Sequence, residues 1–176
     1  MGQFKFEKTT FDDVYLIRPF YLNDQRGSLN KFYAHKEFQD NHIQYIPVEE
    51  AIINSRQGVL RGLHFQSTMK QSKLITGIFG NVQLVIVDVE RLSSNFGHWI
   101  SIELKSEMNV YIPGHYAVGT YAIDDMAIHM GYGERFMAEF SGGIRWDDPD
   151  IGIEWSTNHP IVAEKDLNLP GFNEYM

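Results

Sequence analysis

Helical periodicity is almost absent from this chain. The best helical candidate is one short stretch, "AHKEFQDN" at 34–41. What recurs is the two-residue period of a half-buried strand, or short unbroken apolar runs. "HWISIEL" (98–104) alternates cleanly, with Trp99, Ser101 and Glu103 on one face and Ile100, Ile102 and Leu104 on the other. "VYLIRPFYL" (14–22) and "LNKFYAH" (29–35) flank a polar turn. "SKLITGIFG" and "NVQLVIVDVE" (72–90) read as a hairpin, because Gly80-Asn81 suits a tight primed turn. "NVYIPGHYAVGTYAI", "MAIHM" and "DIGIEWS" add further short strands. Many short strands punctuated by Gly, Pro, Asn and Asp predict an all-β antiparallel sandwich or barrel. The 176 residues suffice for one domain spanning 1–176. From about residue 156 the patterning weakens, and this tail is expected to cover the barrel.

Composition removes several functions. There are no cysteines, so disulfides and thiolate metal sites are excluded, and a cytoplasmic setting fits. A net charge of −8 argues against a nucleic-acid surface, which needs a basic stripe. No apolar run is long enough to cross a membrane, and "MGQFKFEKTTF" lacks the apolar core of a secretory signal. The Met-Gly start is not a myristoylation match, because Phe6 holds the position where Ser or Thr is required.

The run "GVLRGLHFQ" (58–66) poses the functional question. It places a fixed charge, Arg61, and a titratable ring, His64, on one apolar strand. On a regular strand the two point to opposite faces, unless Gly62 marks a bulge that re-aims one of them. Lys73 opens the next strand, so Arg61, His64 and Lys73 could build a cationic pocket suited to an anion or an enolate. A metal is not expected, since no H-x-H occurs and no third ligand converges. Arg26 sits in the turn "DQRGSL" and reads as a solvated charge on its own. His115, His129 and His159 are singletons of a structural or exposed kind.

Taken in order, "DQRG", "GVLRGLHFQ" followed by "QSKL", "GNVQLVIVDVE", "FGHW", "YIPGHYAVG", "GIRWDDPDIGIEW" and "AEKD" carry a resemblance over about residues 12–170. The chain resembles the dTDP-4-dehydrorhamnose 3,5-epimerase family. The resemblance implies a cupin-type jelly-roll β-barrel that works without metal or cofactor, usually as a homodimer, on a nucleotide-diphosphate sugar carrying a 4-keto group. It makes His64 the general base and Asp166 its orienting carboxylate. It sets Lys73 beside the sugar carbonyl, and it gives Arg26, Arg61 and Gln66 to substrate binding. The chemistry agrees: a hydrogen α to a ketone becomes removable only when the enolate oxygen is stabilised, so cations belong beside the base.

The chain departs from the family at three places. Val118 in "AVGT" stands where the family usually has His, and Lys31 stands where a Glu is common. Ungapped alignment puts Gly131 at the usual proton-donating Tyr, with Tyr132 beside it. Proton delivery then falls to Tyr132 through a bulge at Gly131 or Gly133, to another group, or to water. The expected function is an epimerase of a nucleotide-activated 4-keto-deoxy sugar, inverting C3 and/or C5 in polysaccharide or deoxysugar biosynthesis. The departures point to a relaxed or single-centre enzyme, with C3 favoured over C5, or to a changed substrate. A non-catalytic sugar-nucleotide binder and a 3,4-ketoisomerase are the rival readings.

Overall fold

The computed structural model describes residues 4–175, so the Met1-Gly2 start lies outside the described residues. Strands β1 (Lys5–Lys8) and β2 (Tyr15–Arg18) come first. Pro19, with no N–H to give a ladder, ends β2. The run expected as one strand therefore splits, and β3 (Phe20–Asp24) pairs with β4 (Gly27–Lys31) in a separate two-stranded arm. Helix α1 (His35–Asp40) falls inside the expected span. Then follow β5 (Glu49–Ser55), β6 (Val59–Gln66), β7 (Lys73–Phe79), β8 (Val82–Asp88), β9 (Trp99–Leu104), β10 (Asn109–Ile112), β11 (Tyr116–Ala122) and β12 (Met126–Tyr132). The tail carries β13 (Ser141–Gly143), β14 (Ile161–Val162), α2 (Glu164–Leu167) and α3 (Phe172–Tyr175).

Two sheets face each other in a cupin-type jelly roll. One has the order β1-β2-β10-β7-β12-β5, the other β13-β6-β11-β8-β9, with β14 running parallel along β6. Ile75, Val110, Ile128 and Met130 of the first sheet pack against Leu84, Ile86, Leu104 and Val118 of the second. Behind the second sheet, Val85 and Val87 meet Ile144, Ile151 and Phe172 of the C-terminal cover. Behind the first, Leu74 and Tyr111 meet Phe4, Phe38, Ile43 and Tyr45. The central strands of each sheet are thus covered on both sides, which accounts for those that read as continuous apolar runs. The alternation expected in "HWISIEL" holds, with Ile100, Ile102 and Leu104 turned into the central core.

The hairpin expected across Gly80-Asn81 does not form. β7 lies between β10 and β12, whereas β8 lies in the other sheet between β11 and β9. The chain reverses at Gly80-Asn81 and crosses between sheets there. The β11–β12 connection crosses beside it, with Ile123 N donating to Asn81 O at 3.0 Å and Asn81 Nδ2 to Asp124 at 2.6 Å. Turn chemistry fixes the reversal but not which strands share a ladder. All seven residues of β8 are buried, and a strand covered on both faces needs partners on both edges.

"DIGIEWS" is not a strand either. Asp148 Oδ1 accepts from the backbone N–H groups of Asp150 and Ile151 at 3.0 and 3.1 Å, and Oδ2 from Phe172 N at 2.9 Å. A buried side chain so placed takes up the donors that a ladder would need. Among the described residues no helix is long and apolar enough to cross a membrane.

Candidate active site

The question posed by the Arg61–His64 pair is settled by a bulge in β6. Val118 on β11 faces His64 and Thr120 faces Arg61, so three residue steps on β6 oppose two on β11. The extra residue sits at Gly62, whose φ is +127°. An added Cβ there would lie 2.6 Å from Gly119 Cα and 2.8 Å from Val118 O. Glycine is therefore required twice over, for its conformation and for the closeness of the neighbouring strand. The bulge turns Arg61 and His64 to one side, and both line a cavity of about 670 Å³ between the sheets.

Asp166, on α2 of the tail, locks this geometry. His64 Nε2 lies 2.9 Å from Asp166 Oδ1, while Asp166 Oδ2 accepts from Gly62 N at 3.2 Å. One carboxylate thus holds both the ring and the bulge that aims it. Asp166 is 3% exposed at its side chain, against 40% for His64. With Nε2–H donated to the carboxylate, the free lone pair of the ring is on Nδ1.

The opposite wall comes from the first sheet. Lys73 on β7 and Tyr132 on β12 are paired across the ladder, and both line the cavity. Lys73 is buried, its Nζ donating to Gln71 O at 3.1 Å, and burial pushes its ammonium down to about 8. Burial, and more weakly Glu49, raise the Tyr132 phenol above its ordinary value. Tyr132 needs no bulge to reach this place. The β12–β7 register is regular from Ile128 to Tyr132, and Met130 and Tyr132 both face the cavity. Gly131 faces outward, where an added Cβ would lie 2.4 Å from the Tyr45 hydroxyl. Of the two neighbours, Tyr132 and not Gly131 thus lines the cavity, and the register irregularity lies earlier, between Ala127 and Ile128.

The other expected residues divide. Arg61 is held at the cavity by bonds from Nε to Ser55 Oγ (3.0 Å) and from Nη2 to Asn54 O (3.4 Å). Gln66 lines the cavity, but its amide hydrogens go to the Met69 and Arg135 carbonyls. Arg26 is not in the cavity of its own chain. It stands at the tip of the β3–β4 arm, 90% exposed at its side chain and bonded to Asp24. Val118 forms an apolar patch directly across from His64. His115, His129 and His159 do not line the cavity. Sequence reasoning passed over Lys165, Gln71 and Phe136, which also line it. Lys165 had a signal in the "KD" pair beside Asp166, whereas Phe136 lies in a segment without periodicity. Among the described residues no group of three or more His, Asp or Glu is placed to hold a metal ion.

A held imidazole on one wall and a phenol beside an ammonium on the other can take a proton from one side of a ring and return it from the opposite side. That is the work of a proton-transferring isomerase, and on a jelly roll of this kind it defines a carbohydrate epimerase. The sequence model described as dTDP-4-dehydrorhamnose 3,5-epimerase matches residues 8–174. The enzyme of that name from Methanothermobacter thermautotrophicus is 36% identical over 180 residues, covering 99% of this chain and 97% of the relative. The crystal structure of dTDP-6-deoxy-D-glucose-3,5-epimerase from Legionella pneumophila, in complex with dTDP-4-keto-L-rhamnose, superposes with a TM-score of 0.92 at 28% identity, covering 97% and 93% of the two chains. A dTDP-4-dehydrorhamnose 3,5-epimerase structure from Elizabethkingia anophelis gives 0.88 at 30% identity, covering 98% of each chain. The chain belongs to the dTDP-4-dehydrorhamnose 3,5-epimerase family.

Proposed function

We propose that the protein epimerises a dTDP-linked 4-keto-6-deoxy sugar, inverting C3 and C5 by proton transfer α to the ketone. The observation that carries this reading is the His64–Asp166 pair on one sheet, opposed by Lys73 and Tyr132 on the other across a single cavity. His64 Nδ1 removes the α-proton, and Asp166 stabilises the imidazolium that results. The electron pair moves onto the 4-keto oxygen, where the Lys73 ammonium stabilises the enolate. Tyr132 returns a proton to the carbon from the opposite face. Tyr132 at the cavity supports inversion at both centres in this reading. Arg61 and Lys165, at the same cavity, are the groups for the diphosphate.

The protein acts in this reading as a homodimer, and Arg26 serves the cavity of the second copy. The β3–β4 arm supports this, because its cross-strand pair Leu22 and Leu29 is exposed on the same arm as an arginine that does not line its own cavity.

NMR of dTDP-4-keto-6-deoxyglucose incubated with the protein in deuterated water tests the reaction. Deuterium enters C3 and C5 with inversion at both. His64→Ala lowers exchange by about 10²–10⁴-fold, and Tyr132→Phe loses inversion more than exchange. Absence of exchange would leave a binder, and migration of the ketone to C3 would make the protein a ketoisomerase.

A further inference from the structure

Two side chains in the cavity wall are not used by the reaction above. Gln66 and Gln71 are each only 3% exposed, and both line the cavity. Gln66 Nε2 donates to Met69 O at 3.1 Å and to Arg135 O at 3.3 Å, while its Oε1 accepts from Met137 N at 2.7 Å. Gln71 Nε2 donates to Glu134 O at 2.6 Å. The same segment is held at two more points. Gly133 N donates to Ser72 O at 2.8 Å, and Phe136 N to Glu49 at 3.1 Å.

Every residue from 133 to 137 therefore has a backbone group bonded to Glu49, Gln66, Gln71 or Ser72, although the segment is neither helix nor strand. It directly follows Tyr132, and it presents Phe136, whose ring lines the cavity while remaining 54% exposed. Gln71 also joins the segment to the reaction centre, because its own carbonyl accepts from Lys73 Nζ. An exposed ring on an irregular segment loses entropy when a ligand fixes it. A segment already bonded at five successive residues avoids most of that loss.

We propose that Gln66 and Gln71 are positioning residues that clamp the 133–137 segment, so that Phe136 stands as a preformed apolar edge for the part of the ligand at the cavity mouth. They act on binding through Phe136 and not through contact with the sugar. The kinetic part of this inference rests on the epimerase reading, whereas the clamp itself does not.

Gln66→Met and Gln71→Met keep length and apolar bulk but remove the bonds. Each variant is expected to be cut by trypsin after exposed Arg135 about tenfold faster than the parent. Each is expected to raise KM about tenfold with kcat within about threefold. Phe136→Ala raises KM to a similar extent, and Gln66→Met combined with Phe136→Ala raises it no further, since both act through one ring. In the parent protein, the Gly133, Phe136 and Met137 amides exchange at least about tenfold slower than free amides. Unprotected amides in the parent overturn the clamp without any variant. A KM unchanged in a folded Gln66→Met or Gln71→Met protein overturns it too. Multiplying effects of Gln66→Met and Phe136→Ala would show that the glutamine touches the ligand itself. Should the parent turn over no sugar nucleotide, the epimerase reading fails, while proteolysis and amide exchange still decide the clamp.

Discussion

Two Arg-Gly pairs, Arg26-Gly27 and Arg61-Gly62, share a backbone conformation and little else. Both glycines have strongly positive φ, +119° and +127°. Gly27 turns the tip of the β3–β4 arm, and an added Cβ there meets nothing within 4 Å. Gly62 is pressed against Val118 and Gly119 of the adjoining strand. Among the described residues Arg26 is tied only to Asp24, two positions before it, whereas Arg61 is braced by Ser55 and Asn54 at a cavity. The same dipeptide makes a free turn in one place and, in the other, the bulge that aims a base. What separates them is not local sequence but the partner strand and a carboxylate 104 residues away, Asp166, which grips Gly62 N.

The largest effect expected from this contrast is at Gly62. Gly62→Ala adds backbone strain of about 1–3 kcal/mol to a main-chain clash of about 1–3 kcal/mol. Gly27→Ala carries the strain alone. Thermal melting should therefore show a much larger drop for Gly62→Ala, with loss of exchange activity in whatever fraction folds. Equal drops would mean that the close packing around Gly62 contributes nothing.

The sequence made one of these sites readable and hid the other. The bulge was legible only as an alternative, because an Arg and a His three apart point to opposite faces of a regular strand unless Gly62 breaks it. Short alternating runs gave the all-β class for the same reason, since the period of a strand is a local property. Sheet membership was not legible: β7 and β8 flank a good turn yet lie in different sheets, because burial on both faces of β8 depends on elements far along the chain. The same limit hid the facing of Tyr132. Ungapped alignment set Gly131 at the usual Tyr, and only the β12–β7 register shows which neighbour points inward. Phe136 and the glutamine clamp left no periodic trace at all.

A third cation sharpens the contrast between braced and free charge. Lys73 is more deeply buried than either arginine, and burial holds it near a pKa of about 8. The unfolded side chain titrates at about 10.4. Between these values the unfolded chain binds a proton that the folded one lacks, so stability rises with pH across that window. Below about 8 the folded state carries the full cost of a buried charge. Lys73→Met should stabilise the protein at neutral pH by about 1–3 kcal/mol and should flatten that rise. It should also abolish exchange, whose rate in the parent should fall as pH climbs through about 8. Denaturant melts across pH 7 to pH 10 check the first part. A parent with flat stability over this range would show that water reaches the ammonium.

The smallest effect, and the one that tests whether Arg26 is as idle as its exposure suggests, needs two proteins at once. Arg26→Ala removes an exposed ion pair with Asp24, which adds little to the fold, so its melting point should stay close to the parent's. If the arm of one copy serves the cavity of another, its KM should nonetheless rise about tenfold. His64→Ala carries the opposite defect, an intact arm and a dead base. In a mixed dimer the site with His64 receives the intact Arg26 from its neighbour, and the other site collects both defects. Random pairing makes half of the dimers mixed, so about a quarter of all sites are whole. Co-expressed Arg26→Ala and His64→Ala chains, assayed at substrate below the parent KM, should therefore recover about a quarter of the parent rate. A mixture no faster than the sum of its separate parts would confine each cavity to its own chain. Arg26 would then be a solvated turn charge, and Arg61 the only arginine of the two with a place at the substrate.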